Sequence, residues 1–120
     1  MASSTDLDAS VKEFNEQLTA FSIFKQSAES LIKTLNDKIS HTDKNELKKV
    51  YEGIRDYNIN FLTELSEFLD LGKDVLKSKG SSEFELQKCV SLLNSIIEIS
   101  KKIIKDNTDI QNYIILYNFI

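Results

Sequence analysis

The sequence predicts an all-α fold, an up-down-up antiparallel bundle of three long helices. Three observations predict it. The 120-residue chain has no proline and only three glycines, so little in it would kink or stop a helix. Its apolar residues recur at alternating three- and four-residue spacing, the period of a helix face and not the alternation of a strand. The segments carrying that period are similar in length and separated by short polar stretches, as antiparallel neighbours require. The helices are expected at about 6–39, 43–79 and 82–117. They lie in a single domain, 6–120, preceded by a flexible N-terminus at 1–5.

In the first helix, Leu7, Val11, Phe14, Leu18, Phe21, Ala28, Ile32, Leu35 and Ile39 form the seam, with Lys25 its one polar occupant. Phe24 and Leu31 lie beside it and widen the stripe, as expected for a helix packed against two neighbours. Ser4 or Thr5 is placed to cap the first amides, and Asp6 and Asp8 put negative charge at the favourable end of the helix dipole.

Ser40, His41 and Thr42 are expected to turn the chain. Asp43, followed by Glu46, then resembles a capping box for the second helix. Its stripe is Leu47, Tyr51, Ile54, Phe61, Leu65 and Phe68, flanked by Val50, Tyr57, Leu62 and Leu69. Gly53 inside this stripe costs about 1 kcal/mol relative to alanine. It either permits a close helix crossing or is simply tolerated. Gly72 offers an early stop, although residues 71–79 equally continue the helical face. Lys77, Lys79 and Gly80 mark the firmer end.

Ser82 with Glu85 forms a capping box for the third helix. Leu86, Cys89, Leu93, Ile96, Ile103, Ile110, Ile114 and Tyr117 fall on one face, adjoined by Val90, Ile97 and Ile104. A second break is possible near residue 106, where Thr108 or Asp109 would cap a separate final helix. Sustained heptad spacing is also that of a coiled coil, so self-association into a homo-oligomer is compatible with this pattern.

Composition narrows the functional classes. An apolar fraction of 41% beside 28% charged residues is that of a chain that buries a core, not of a disordered one. The net charge of −4 comes without a basic stripe, which argues against nucleic acid as a partner. Cys89 is the single cysteine, so no internal disulfide forms and a reducing compartment suits the chain. The acidic start lacks the basic and apolar regions of a secretory signal. No stretch approaches the ~20 apolar residues that span a bilayer. The expectation is a cytoplasmic protein without a membrane span.

Catalytic patterns are missing from the sequence. His41 is the only histidine and falls in an expected turn, while Cys89 falls on an apolar face. There is no Cys/His metal cluster, phosphate-binding glycine loop or nucleophile elbow. Glu64, Glu67, Asp70 and Asp74 read as a solvated face, since carboxylate metal sites in bundles need convergent ligands from several helices. The chain is therefore expected not to be an enzyme, with no catalytic, cofactor-binding or metal-binding residues.

Two features point toward recognition. Lys25, Asn58 and Ser100 occupy seam positions, and Asn58 is the candidate for fixing register or partner choice at some cost in stability. Apolar residues also crowd the C-terminal end. Tyr113, Ile114, Leu116, Tyr117, Phe119 and Ile120 either complete the core or form a contact with another protein or a second copy. Peripheral lipid contact is the weaker option, because the segment lacks the basic face of an interfacial helix. The sequence supports a non-enzymatic protein–protein interaction module: an adaptor, assembly subunit or regulatory inhibitor presenting a helical surface. The alternative is a bundle that binds lipid or another hydrophobic ligand.

Overall fold

The computed structural model describes residues 4–78 and 82–116. Three helices, α1 (Ser4–His41), α2 (Asn45–Lys77) and α3 (Glu83–Leu116), form a rod with principal extents of 62 × 23 × 17 Å. All three pairs of helices are in contact, and α1 packs most extensively on the other two. The up-down-up order makes α1 and α3 parallel, with α2 antiparallel to both. Each helix is uninterrupted: Gly72 lies within α2, and residues 106–109 lie within α3. Neither of the two possible breaks occurs.

Helix ends follow the local chemistry. α1 runs on through Ser40 and His41 instead of turning there. The Ser40 hydroxyl donates to the Asn36 carbonyl at 3.0 Å, His41 Nδ1 donates to the Asp37 carbonyl at 2.8 Å, and the Thr42 hydroxyl donates to the Lys38 carbonyl. Those side chains bond back to carbonyls one turn earlier, a local pattern open to Ser and Thr near a helix end. The turn shrinks to residues 42–44. The Asp43–Glu46 capping box therefore does not form: Lys44 is the N-cap, and it makes no side-chain cap bond. At the start of α3 the serine half of the box forms, with the Glu85 amide donating to Ser82 Oγ at 3.2 Å. α1 already includes Ser4 and Thr5, so Thr5 lies inside the first turn and not ahead of it. Residues 1–3, part of the expected flexible N-terminus, lie outside the described residues, as do Lys79 and Gly80.

The core is divided lengthwise. At the end holding the start of α1, Leu7, Phe14, Leu65, Leu69, Cys89, Leu93, Ile96 and Ile97 form the larger cluster. At the opposite end Leu31, Leu35, Tyr51 and Ile114 form a smaller one. Between them Phe24 meets Phe61 edge-on, with ring centroids 5.3 Å apart. Lys25 is exposed and reaches Glu29 at 4.0 Å, because Phe24 turns inward in its place.

Gly72 is the tightest point of the packing. A Cβ built there would lie 2.4 Å from Cε2 of Phe14, whose ring is fully buried. The glycine lets that ring lie against the α2 backbone. At Gly53 a Cβ would meet nothing within 4 Å among the described residues.

Polar side chains fix the alignment of α1 with α3. The Ser10 hydroxyl donates to Asn94 Oδ1 at 2.8 Å, and the Ser27 hydroxyl donates to Gln111 Oε1 at 3.2 Å. Between these rungs the fully buried Ser100 hydroxyl lies 2.9 Å from the Ile97 carbonyl and 3.4 Å from Gln17 Oε1. Its one proton serves the nearer acceptor. The two hydrogen-bonded pairs share the same residue offset, so sliding α3 by one turn would break both together.

Candidate interaction surface

The apolar end of α3 is built differently from its sequence pattern. Ile114 is buried in the smaller core cluster, whereas Tyr113 and Leu116 on the same turn are exposed. Tyr117, Phe119 and Ile120 lie outside the described residues. The expected contact group is thus split: Ile114 completes the core, and Tyr113 and Leu116 face outward.

Beside this end, α2 and α3 leave a groove of about 420 Å³ lined by Lys49, Val50, Gly53, Ile54, Tyr57, Ile110 and Ile114. Its floor is Ile54 and Ile114. Its walls are Val50 and Tyr57 from α2 and Ile110 from α3, each still 41–48% exposed. Leu47 extends the apolar strip at the start of α2, and Tyr113 extends it along α3. The Tyr57 hydroxyl donates to Asn107 Oδ1 at 2.8 Å, and Asn107 Nδ2 donates to the Ile103 carbonyl at 2.9 Å. This pair ties α2 to α3 and holds the Tyr57 ring as a wall of the groove.

A larger groove, about 940 Å³, lies between α1 and α3 at the other end. It is lined largely by polar groups, including Ser10, Glu13, Asn94 and Glu98, that already bind each other or share Lys101. Lys101 Nζ lies 3.8 Å from Glu13 and 3.7 Å from Glu98. Such exposed pairs are each worth little and indicate a solvated seam. The smaller α2–α3 groove has the chemistry of a contact surface, with exposed aromatic and aliphatic side chains around an apolar floor.

The remaining sequence candidates are dispersed. Asn58 is buried, and its Nδ2 donates to the Ile54 carbonyl of its own helix at 2.8 Å, a bond that sets no register between helices. The side-chain hydrogen bonds that do cross helices join Ser10 to Asn94, Ser27 to Gln111, Tyr57 to Asn107 and Arg55 to Asn36. None of these residues stood out in the sequence, because each lies beside the apolar seam and not on it. Cys89 is buried, with Sγ 3.8 Å from the Val75 carbonyl, and His41 is exposed at the end of α1. Among the described residues no three His, Cys, Asp or Glu side chains stand close enough to hold a metal ion. No helix among them is long and apolar enough to cross a membrane.

No protein-family model, curated protein or solved structure matches this chain.

Proposed function

We propose that this chain is a non-enzymatic protein-interaction module, an adaptor, assembly subunit or regulatory inhibitor, whose contact face is the α2–α3 groove. The observation that carries this reading is the apolar strip formed by Val50, Tyr57 and Ile110, which the bundle leaves about half-exposed. Helix-lined grooves of this kind accept an amphipathic helix, with aromatic residues supplying contact area at little entropic cost. The bundle supplies rigidity, so a partner meets a surface that is already formed.

The test compares the full chain with Tyr57→Asp and Ile110→Glu variants. Both changes fall on exposed positions, and circular dichroism verifies that each variant retains its helices. Affinity capture from cell extract, read by quantitative mass spectrometry, should recover proteins that bind the unaltered chain saturably and are lost with either variant. Liposome flotation runs in parallel. Identical capture by all three proteins would overturn this assignment of the face. Saturable binding to neutral vesicles without any protein partner would favour the hydrophobic-ligand alternative.

A further inference from the structure

Gly53 lies at the centre of the groove without an internal reason to be glycine. It is the ninth residue of the 33-residue α2, two turns inside its start, it is exposed, and a Cβ there would touch nothing among the described residues. Alanine would make α2 more stable by about 1 kcal/mol and would disturb no contact among the described residues. Gly72 shows what glycine achieves in this same helix, which is close approach of another group to the backbone. At Gly53 the approaching group has to come from outside.

The geometry points to a second copy of this chain as the occupant, with the two α2 helices crossing antiparallel at Gly53 about a two-fold axis. This rests on reading the α2–α3 groove as an interaction face. The charges around Gly53 are complementary to themselves under that symmetry. Residues equally distant from Gly53 come opposite each other, so Lys49 of one copy meets Tyr57 and the adjacent Asp56 of the other, and the contact occurs twice. Glu46 comes opposite Asn60, a neutral residue, so no like charges face each other along this stripe. Asp56 is 58% exposed and holds Arg55 Nε at 3.0 Å, which leaves its carboxylate open to a second cation.

The apolar surface is also adequate in size. Leu47, Val50, Tyr57, Ile110 and Tyr113 are each 41–56% exposed. With aromatic side chains offering 150–250 Å² when complete, the five present roughly 450 Å² per copy. That is close to the apolar share of the ~800 Å² per partner in a standard interface. The missing Cβ lets the helix axes approach at the near end of the usual ~8–10 Å range, bringing these side chains into mutual contact.

Sedimentation of the full chain over a range of concentrations tests the proposal, using Gly53→Leu, Lys49→Asp, Asp56→Lys and the double charge swap. The wild type should show a concentration-dependent monomer–dimer equilibrium. Gly53→Leu, which adds a good helix former at an open position, should remain helical and lose the dimer. Each single charge swap places like charges together twice and should raise the dimer Kd about tenfold. The double swap should recover affinity to within about threefold of wild type. A chain that stays monomeric throughout, or a dimer unaffected by Gly53→Leu or by the swaps, overturns the proposal. A monomeric chain that still captures another protein through Tyr57 would overturn the dimer while leaving the interaction-module reading in place.

Discussion

The two glycines of α2 offer a controlled comparison, because each replacement by alanine changes the same helix by one methyl group. Helix propensity favours both changes by about 1 kcal/mol. At Gly53 nothing opposes that gain, so Gly53→Ala should raise Tm by roughly 4 °C for a chain of this size. At Gly72 the new Cβ would lie 2.4 Å from Phe14 Cε2 and 2.5 Å from Cζ, against an ordinary contact of 3.4–4 Å. The ring would have to retreat by about 1 Å, and overpacking of this kind costs about 1–3 kcal/mol. Since propensity is common to both variants, the gap between them isolates the overpacking cost. Gly72→Ala should therefore fall about 1–3 kcal/mol below Gly53→Ala in urea unfolding followed by circular dichroism. The experiment is run at concentrations where the chain is monomeric. Combining Gly72→Ala with Phe14→Leu should give a favourable coupling of about 1 kcal/mol or more, because the smaller side chain relieves the clash. Equal stability for the two alanine variants, or no coupling with Phe14→Leu, would refute the argument that Phe14 requires a bare α2 backbone.

Other perturbations follow from the polar contacts and the buried thiol. Gln111 is 5% exposed and its Nε2 has no hydrogen-bond partner among the described residues, although its Oε1 accepts from Ser27. Gln111→Leu removes that unsatisfied donor and should stabilise the bundle by about 1 kcal/mol in the same urea assay. Ser27 is exposed and can turn its hydroxyl to water. Tyr57→Phe should destabilise by about 1 kcal/mol, because it strips the Asn107 carbonyl oxygen of its interhelical donor; an unchanged unfolding midpoint would show that water replaces the hydroxyl at no loss. Cys89 should react with a thiol reagent only after the α2–α3 end opens, so modification should speed up sharply in denaturant. Rapid labelling of the native protein would contradict its burial.

Much of the fold was legible in the sequence because helical period and lack of proline act over the whole chain. Helix number, order and approximate length all follow from them. The errors arise where one turn decides the outcome. A strict heptad places Phe21 and Ile32 in the seam, but the structure buries Phe24 and Leu31 in the core and turns Lys25 outward. A straight helix drifts by about 20° per heptad, enough to exchange neighbours across the edge of a wide stripe. Gly53 and Gly72 look alike in sequence, but Gly72 is buried against Phe14 of α1 whereas Gly53 is exposed in the α2–α3 groove. The Asp43–Glu46 and Ser82–Glu85 patterns are also similar, yet α1 runs far enough to leave Asp43 outside the cap position.

The candidate surface was less legible for the same reason. Val50 and Tyr57 lay on the flank of the expected stripe, and Ile110 lay within it, so all three read as core. Their exposure depends on how far α2 and α3 stand apart at that end, which periodicity does not encode. Ile114 and Tyr113, adjacent in sequence, take opposite roles because one residue along a helix is about 100° around its axis.

The parallel alignment of α1 and α3 also bears on the order in which the bundle assembles. Its hydroxyl–amide rungs join residues 84 apart, while Arg55 Nη1 reaches Asn36 Oδ1 at 3.2 Å across only 19 residues near the α1–α2 turn. The longer loop costs about 1.3 kcal/mol more to close, on a logarithmic dependence of closure entropy on length. Pairing of neighbouring helices should therefore come first, with the α1–α3 seam closing last. In kinetic terms, trimming Phe24 or Phe61 should mainly slow folding, whereas replacing Ser10 or Ser27 should mainly hasten unfolding. The seam that fixes alignment in the finished rod would then act as its kinetic latch.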